Sequence, residues 1–118
     1  MCLKDVIFLK PYEEIMEHFG YRAQMKKVAE ECYEFLEAVD NYEDLLLFGI
    51  GNAGEEKLAR DFVVEEMSDI LLLLTQFMAR YDIKQNELDE HMDYKLSRTL
   101  KRIASGYYDK QKDEKKND

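Results

Sequence analysis

Apolar residues recur along this chain at intervals of three and four, the period at which side chains return to one face of an α-helix. From Tyr21 to about Asp40 the recurring positions are Met25, Val28, Cys32, Phe35 and Val39, which predicts an amphipathic helix with that stripe turned inward. Before it, Pro11 suits the first turn of a short helix running to about His18 and ended by Gly20. Proline is tolerated where no backbone N–H is needed, and glycine is favoured just past a helix end. A third helix is predicted from about Glu56 to Tyr81, and its segment Ile70 to Leu74 is apolar on every side. Such a helix must be covered all round, which a chain this small achieves by self-association. A fourth helix, from about Gln85 to Ser105, has Leu88, Met92, Leu96, Leu100 and Ile103 as its buried stripe and Gly106 as its stop. Residues 41–48 either continue the second helix or form a separate turn, and Gly49, Gly51, Asn52 and Gly54 mark a loop. The expected fold is all-α: a single four-helix-bundle-like module over residues 1–106 with a short N-terminal helix, then a charged, disordered tail over 107–118.

Composition narrows the partners more than the fold. The 118 residues suffice for one domain with a modest core. A formal net charge of −9 repels nucleic-acid backbones and anionic membrane surfaces, so neither is an expected partner. The two cysteines, Cys2 and Cys32, are too few for a disulfide framework and lack a zinc-ligand spacing; Cys32, on the apolar stripe, is expected to be a buried thiol. No signal peptide opens the chain and no apolar run approaches the roughly 20 residues of a membrane span, so a cytoplasmic location is expected.

The chemistry lies in a repeat. Residues 29–36 read Ala-Glu-Glu-Cys-Tyr-Glu-Phe-Leu and residues 64–71 read Val-Glu-Glu-Met-Ser-Asp-Ile-Leu, matching Glu30 with Glu65, Glu31 with Glu66 and Glu34 with Asp69. At about 100° per residue, Glu31 and Glu34 sit at the edge of the apolar stripe of one helix, and Glu66 and Asp69 do the same on the other. The two pairs can face each other across a helical hairpin, while Glu30, Glu37 and Glu65 point further round. Four carboxylates at the border of an apolar core repel one another and lose hydration unless a cation joins them. Oxygen-only ligands select a hard ion, Mg²⁺ or Mn²⁺, and magnesium commonly shares itself with substrate phosphates. Lys27, one turn before Glu31, and Lys95, Arg98 and Arg102 on the fourth helix are the cations that could meet those phosphates. Each also has an ordinary reading as an i,i+4 partner of acidic neighbours, and a lone ExxE on a helix is usually a solvated face. Di-iron chemistry is disfavoured, because neither His18 nor His91 has an acidic residue three positions before it.

Lys27-x-x-Glu30-Glu31-x-x-Glu34, a linker, then Glu65-Glu66-x-x-Asp69 and an apolar run resemble the ExxE and ExxD signature of the MazG-like nucleotide pyrophosphohydrolases. The resemblance spans about residues 15–106 and includes Phe19-Gly20, Gln24, Lys95-x-x-Arg98 and Arg102. It implies an all-α fold related to the dimeric dUTPases, a homodimer or homotetramer, and conversion of a standard or damaged nucleoside triphosphate to monophosphate and pyrophosphate. By the same resemblance Glu31, Glu34, Glu66 and Asp69 correspond to magnesium ligands, and a metal-activated water attacks the α-phosphorus. Lys27 corresponds to a lysine near the phosphates, Lys95, Arg98 and Arg102 to further substrate-binding groups, and Glu30 and Glu65 to residues supporting the ligands from behind. The base pocket is expected to draw on the first helix and on Tyr12, Phe19 or Tyr21. The segment 41–60 matches nothing in that family. The competing reading is a catalytically inactive helical protein that serves as an oligomerisation or partner-binding module.

Overall fold

A computed structural model describes residues 3–49 and 51–109, with side chains from Leu9 onward. The fold is all-helical, and no strand occurs among the described residues. Four helices follow one another: α1 (Leu3–Phe19), α2 (Tyr21–Phe48), α3 (Ala53–Tyr81) and α4 (Gln85–Ala104). The described residues divide into two compact units, one ending at Asp82 and the other beginning at Ile83.

In the first unit, α2 and α3 make an antiparallel hairpin and α1 packs chiefly on α3. The first helix is longer than its sequence suggests: it begins at Leu3, and Pro11 lies inside it instead of opening it. An interior proline forfeits one backbone hydrogen bond but holds φ near the helical value for the turn that follows. Gly20, at φ 84°, joins α1 to α2, donating its N–H to the Met16 carbonyl at 2.8 Å and accepting from the Gln24 N–H at 3.2 Å. A side chain at that φ would be strained, which is why the chain turns there.

Residues 41–48 continue α2, which ends at Gly49 in the left-handed region with its N–H on the Leu45 carbonyl. Asn52, read from the sequence as loop, is the N-cap of α3, its side-chain oxygen accepting from the Glu55 N–H at 2.9 Å. Glu55 and Glu56 in the first turn of α3 suit its positive end.

The core of this unit is thin. Met16, Ala59 and Leu73 are its buried apolar residues, and Gln24, Glu31 and Gln76 are buried with them. Gln24 Nε2 donates to Gln76 Oε1 at 2.7 Å, bridging α2 and α3. The buried residues of α2 are Gln24 and Glu31, at one edge of the stripe predicted by hydropathy, whose Val28, Phe35 and Val39 are half-buried while Met25 is exposed. Cys32 is likewise exposed, not buried as expected. Of the run Ile70 to Leu74 only Leu73 is buried.

In the second unit α4 runs over the predicted residues, but none of its residues is buried. Its expected core stripe is open, with Met92 64% and Leu96 60% exposed. Gly106, the predicted stop, has φ 74°. Residues 107–109 are helical, and the rest of the predicted tail lies outside the described residues, as does Cys2. No helix among the described residues is long and apolar enough to cross a membrane.

Candidate functional site

The antiparallel hairpin brings the two acidic repeats together in opposite directions. Glu34 shares a cavity wall with Glu66, and Glu31 shares the next with Asp69. Glu31, Glu34 and Glu66 each place a carboxylate oxygen within 4.8 Å of the others, an arrangement able to hold a metal ion. Asp69 is exposed and outside that tight trio, although its charge acts on Glu66.

Burial sets Glu31 apart from a solvated acidic face, while Glu66 is half-buried and Glu34 exposed. Glu31 is only 6% exposed. Its Oε2, and that of Glu66, are buried with no hydrogen-bond partner. Two carboxylate oxygens cannot satisfy each other, since neither carries a proton to donate. A proton, a cation or an ordered water can fill that place. Desolvation pushes Glu66 up from 4.5 to about 7, helped by its contact with Glu31 and by the charges of Glu34, Glu31 and Asp69. Glu34 is raised mainly by its contact with the Glu31 carboxylate. Glu31 moves the other way: burial alone would raise it, but the Lys27 ammonium and hydrogen bonds with Glu66 and Glu34 together outweigh burial and lower it. With Glu66 raised to about 7, the trio retains a proton below neutral pH when no cation replaces it.

Lys27 Nζ lies 3.3 Å from Glu31 and 3.7 Å from Glu30, and these contacts, Glu31 first, raise its pKa. It lines a cavity of about 560 Å³ with Glu31, Asp69, Phe19, Gln24 and Gln76. Of the aromatics expected at a base pocket, Phe19 is in this wall. Tyr21 instead carries the Arg80 guanidinium 4.7 Å from its ring centre. Glu30 and Glu65 are exposed.

Lys95, Arg98 and Arg102 belong to the second unit. There Arg98 lies over the Tyr94 ring at 5.5 Å, and Arg102 over the Tyr107 ring at 4.8 Å. A second cavity of about 460 Å³, formed by Asn41, Leu45, Leu58 and Phe62 with Glu34 and Glu66, falls in the segment to which sequence reasoning gave no role. Its signal was the antiparallel register, which brings the end of α2 against the start of α3.

No family model matches the chain, and neither does any curated protein or solved structure.

Proposed function

We propose that this protein is a magnesium-dependent nucleoside triphosphate pyrophosphohydrolase of the MazG-like kind, cytoplasmic and active as a homodimer or homotetramer. The observation that carries the reading is the buried, unpartnered oxygen of Glu31 beside Glu34 and Glu66. Lys27 pairs with the other oxygen of Glu31, so it is the orphaned oxygen beside two further carboxylates that calls for a cation.

The donor set fits Mg²⁺ or Mn²⁺: all oxygen, more than one negative charge, on rigid helices. Glu31, Glu34 and Glu66 would hold the ion, with Asp69 one turn from Glu66 closing the set on binding. Such an ion lowers the pKa of water and neutralises phosphate charge. Lys27 has its ammonium at the edge of the trio and is placed to exchange its Glu31 contact for a phosphate oxygen. The cavity beside it, with Phe19 on one wall and the Gln24–Gln76 amides in another, suits a nucleobase: apolar area for the ring and amides for its edge.

Self-association is supported by the other flank of the hairpin. By helical phase, Met25 and Cys32 of α2 and Met67 and Leu74 of α3 lie away from the cavities, and all four are exposed. A second copy covering that flank would leave the carboxylate groove open.

The test is pyrophosphate release from a panel of NTPs and dNTPs by the wild type, Glu34→Gln and Asp69→Asn, with Mg²⁺ and with EDTA. The expected result is metal-dependent turnover by the wild type, lost by about 100-fold or more in both variants while they remain folded. Full activity in both variants would refute the site, and no release from any nucleotide would favour the inactive module.

A further inference from the structure

The carboxylate trio has a cavity on each side of it. Both lie on the same flank of the hairpin, one of about 560 Å³ beyond Glu31 and one of about 460 Å³ beyond Glu34. Each has the size of a small-molecule site. A nucleoside triphosphate has one organic end only; its other end is a bare pyrophosphate, which calls for lysine, arginine or clustered N–H groups.

The cavity beyond Glu34 offers the reverse. Among the described residues no lysine or arginine lines it; Leu45, Leu58 and Phe62 give it apolar walls, and Asn41, Glu37 and Glu55 give it polar ones. A half-exposed phenyl ring can stack on a planar base, and carboxylates accept hydrogen bonds from a base's exocyclic amino group. From Glu34 to Leu45 the helix advances roughly 16 Å at about 1.5 Å per residue, enough for a ribose and a base.

Resting on the nucleotide-hydrolase reading above, we infer that the leaving group is itself a nucleotide: the favoured substrate is two nucleosides joined through a diphosphate, with one base in each cavity. The second base is an amino-bearing one, adenine, cytosine or guanine. A longer phosphate bridge is disfavoured, since extra phosphates would lie against Glu37 and Glu55 with no cation beside them. In the reaction water attacks one phosphorus and the bond from that phosphorus to the bridging oxygen breaks. The bridging oxygen leaves with the second phosphate and takes up one proton of the water, while the other stays on the new P–OH. Two nucleoside monophosphates result, with no pyrophosphate.

The experiment follows nucleoside monophosphate and pyrophosphate from diadenosine diphosphate and from ATP, with Mg²⁺, using the wild type, Phe62→Ala and Phe62→Leu. The wild type is expected to favour the dinucleotide by about tenfold in kcat/KM, and Phe62→Ala to lower that ratio by about tenfold, with Phe62→Leu between. Phe62→Leu keeps the apolar volume and carries the comparison if Phe62→Ala fails to fold. Release of pyrophosphate from ATP with the dinucleotide left intact would overturn the inference and leave the hydrolase reading standing. No turnover of diadenosine diphosphate would overturn the inference even if ATP too is left intact, and the hydrolase reading falls with it only if the whole panel of NTPs and dNTPs also gives no release. Equal losses on both substrates in the Phe62 variants would show that this cavity does not hold the leaving group, and would overturn the inference as well.

Discussion

Glu66 is the residue whose environment most directly links charge to stability. Burial and its acidic neighbours raise its pKa from 4.5 to about 7, so between those values the folded chain binds a proton that the unfolded chain has released. Stability from this group is therefore fully present below pH 4.5 and is lost as pH rises toward 7. Glu34 shifts in the same direction, and Glu31, whose pKa is lowered, opposes them. In EDTA the melting temperature of the wild type is expected to fall as pH rises across that window, and to fall less steeply in Glu66→Gln; a parallel profile would mean that the carboxylate is not held as described. Mg²⁺ should reverse the ordering near neutral pH, stabilising the wild type more than the variant, because only the wild type offers the full ligand set. That the two acidic pairs could face each other across a hairpin was legible from the repeat, but the repeat matches Glu31 with Glu66 and Glu34 with Asp69, whereas the antiparallel hairpin sets Glu34 by Glu66 and Glu31 by Asp69. That Asp69 stands outside the tight trio was not, because helical phase places a residue on a face but does not fix the distance between faces.

At the scale of helices, the sequence located α3 and α4 closely because each has sustained periodicity, and α4 has a clear stop as well. Asn52 was misread as loop because it sits among glycines, yet one hydrogen bond to Glu55 makes it the cap of α3. Asn52→Ala is expected to cost about 1 kcal/mol, a fall of roughly 4 °C in the thermal midpoint. An unchanged midpoint would show that the cap contributes nothing. The inward face of α2 was harder to read. Hydropathy finds Val28, Phe35 and Val39, which are half-buried, together with Met25 and Cys32, which are exposed, but it misses the buried Gln24 and Glu31, polar residues that a hydrophobic stripe cannot register. Their burial makes sense through partners: an amide across the seam for Gln24, an ammonium and an acidic trio for Glu31. Where α2 breaks the local rule is also where the candidate chemistry lies.

Over the whole molecule, the small core and the open stripes belong together. Leu71, Leu74, Met67 and the α4 stripe are exposed in the single chain, more apolar surface than a monomer usually leaves open. Light scattering after gel filtration is expected to give a mass of at least two chains for the wild type and a shift toward monomer for the double variant Met67→Glu, Leu74→Glu; a monomeric wild type would refute self-association. The reaction itself is most directly tested by turnover of a nucleoside triphosphate with Mg²⁺ in heavy-oxygen water, with mass analysis of the products. Attack at the α-phosphorus predicts that the label enters the nucleoside monophosphate and not the pyrophosphate. Label in pyrophosphate or in free phosphate, or no magnesium-dependent turnover at all, would contradict the assignment.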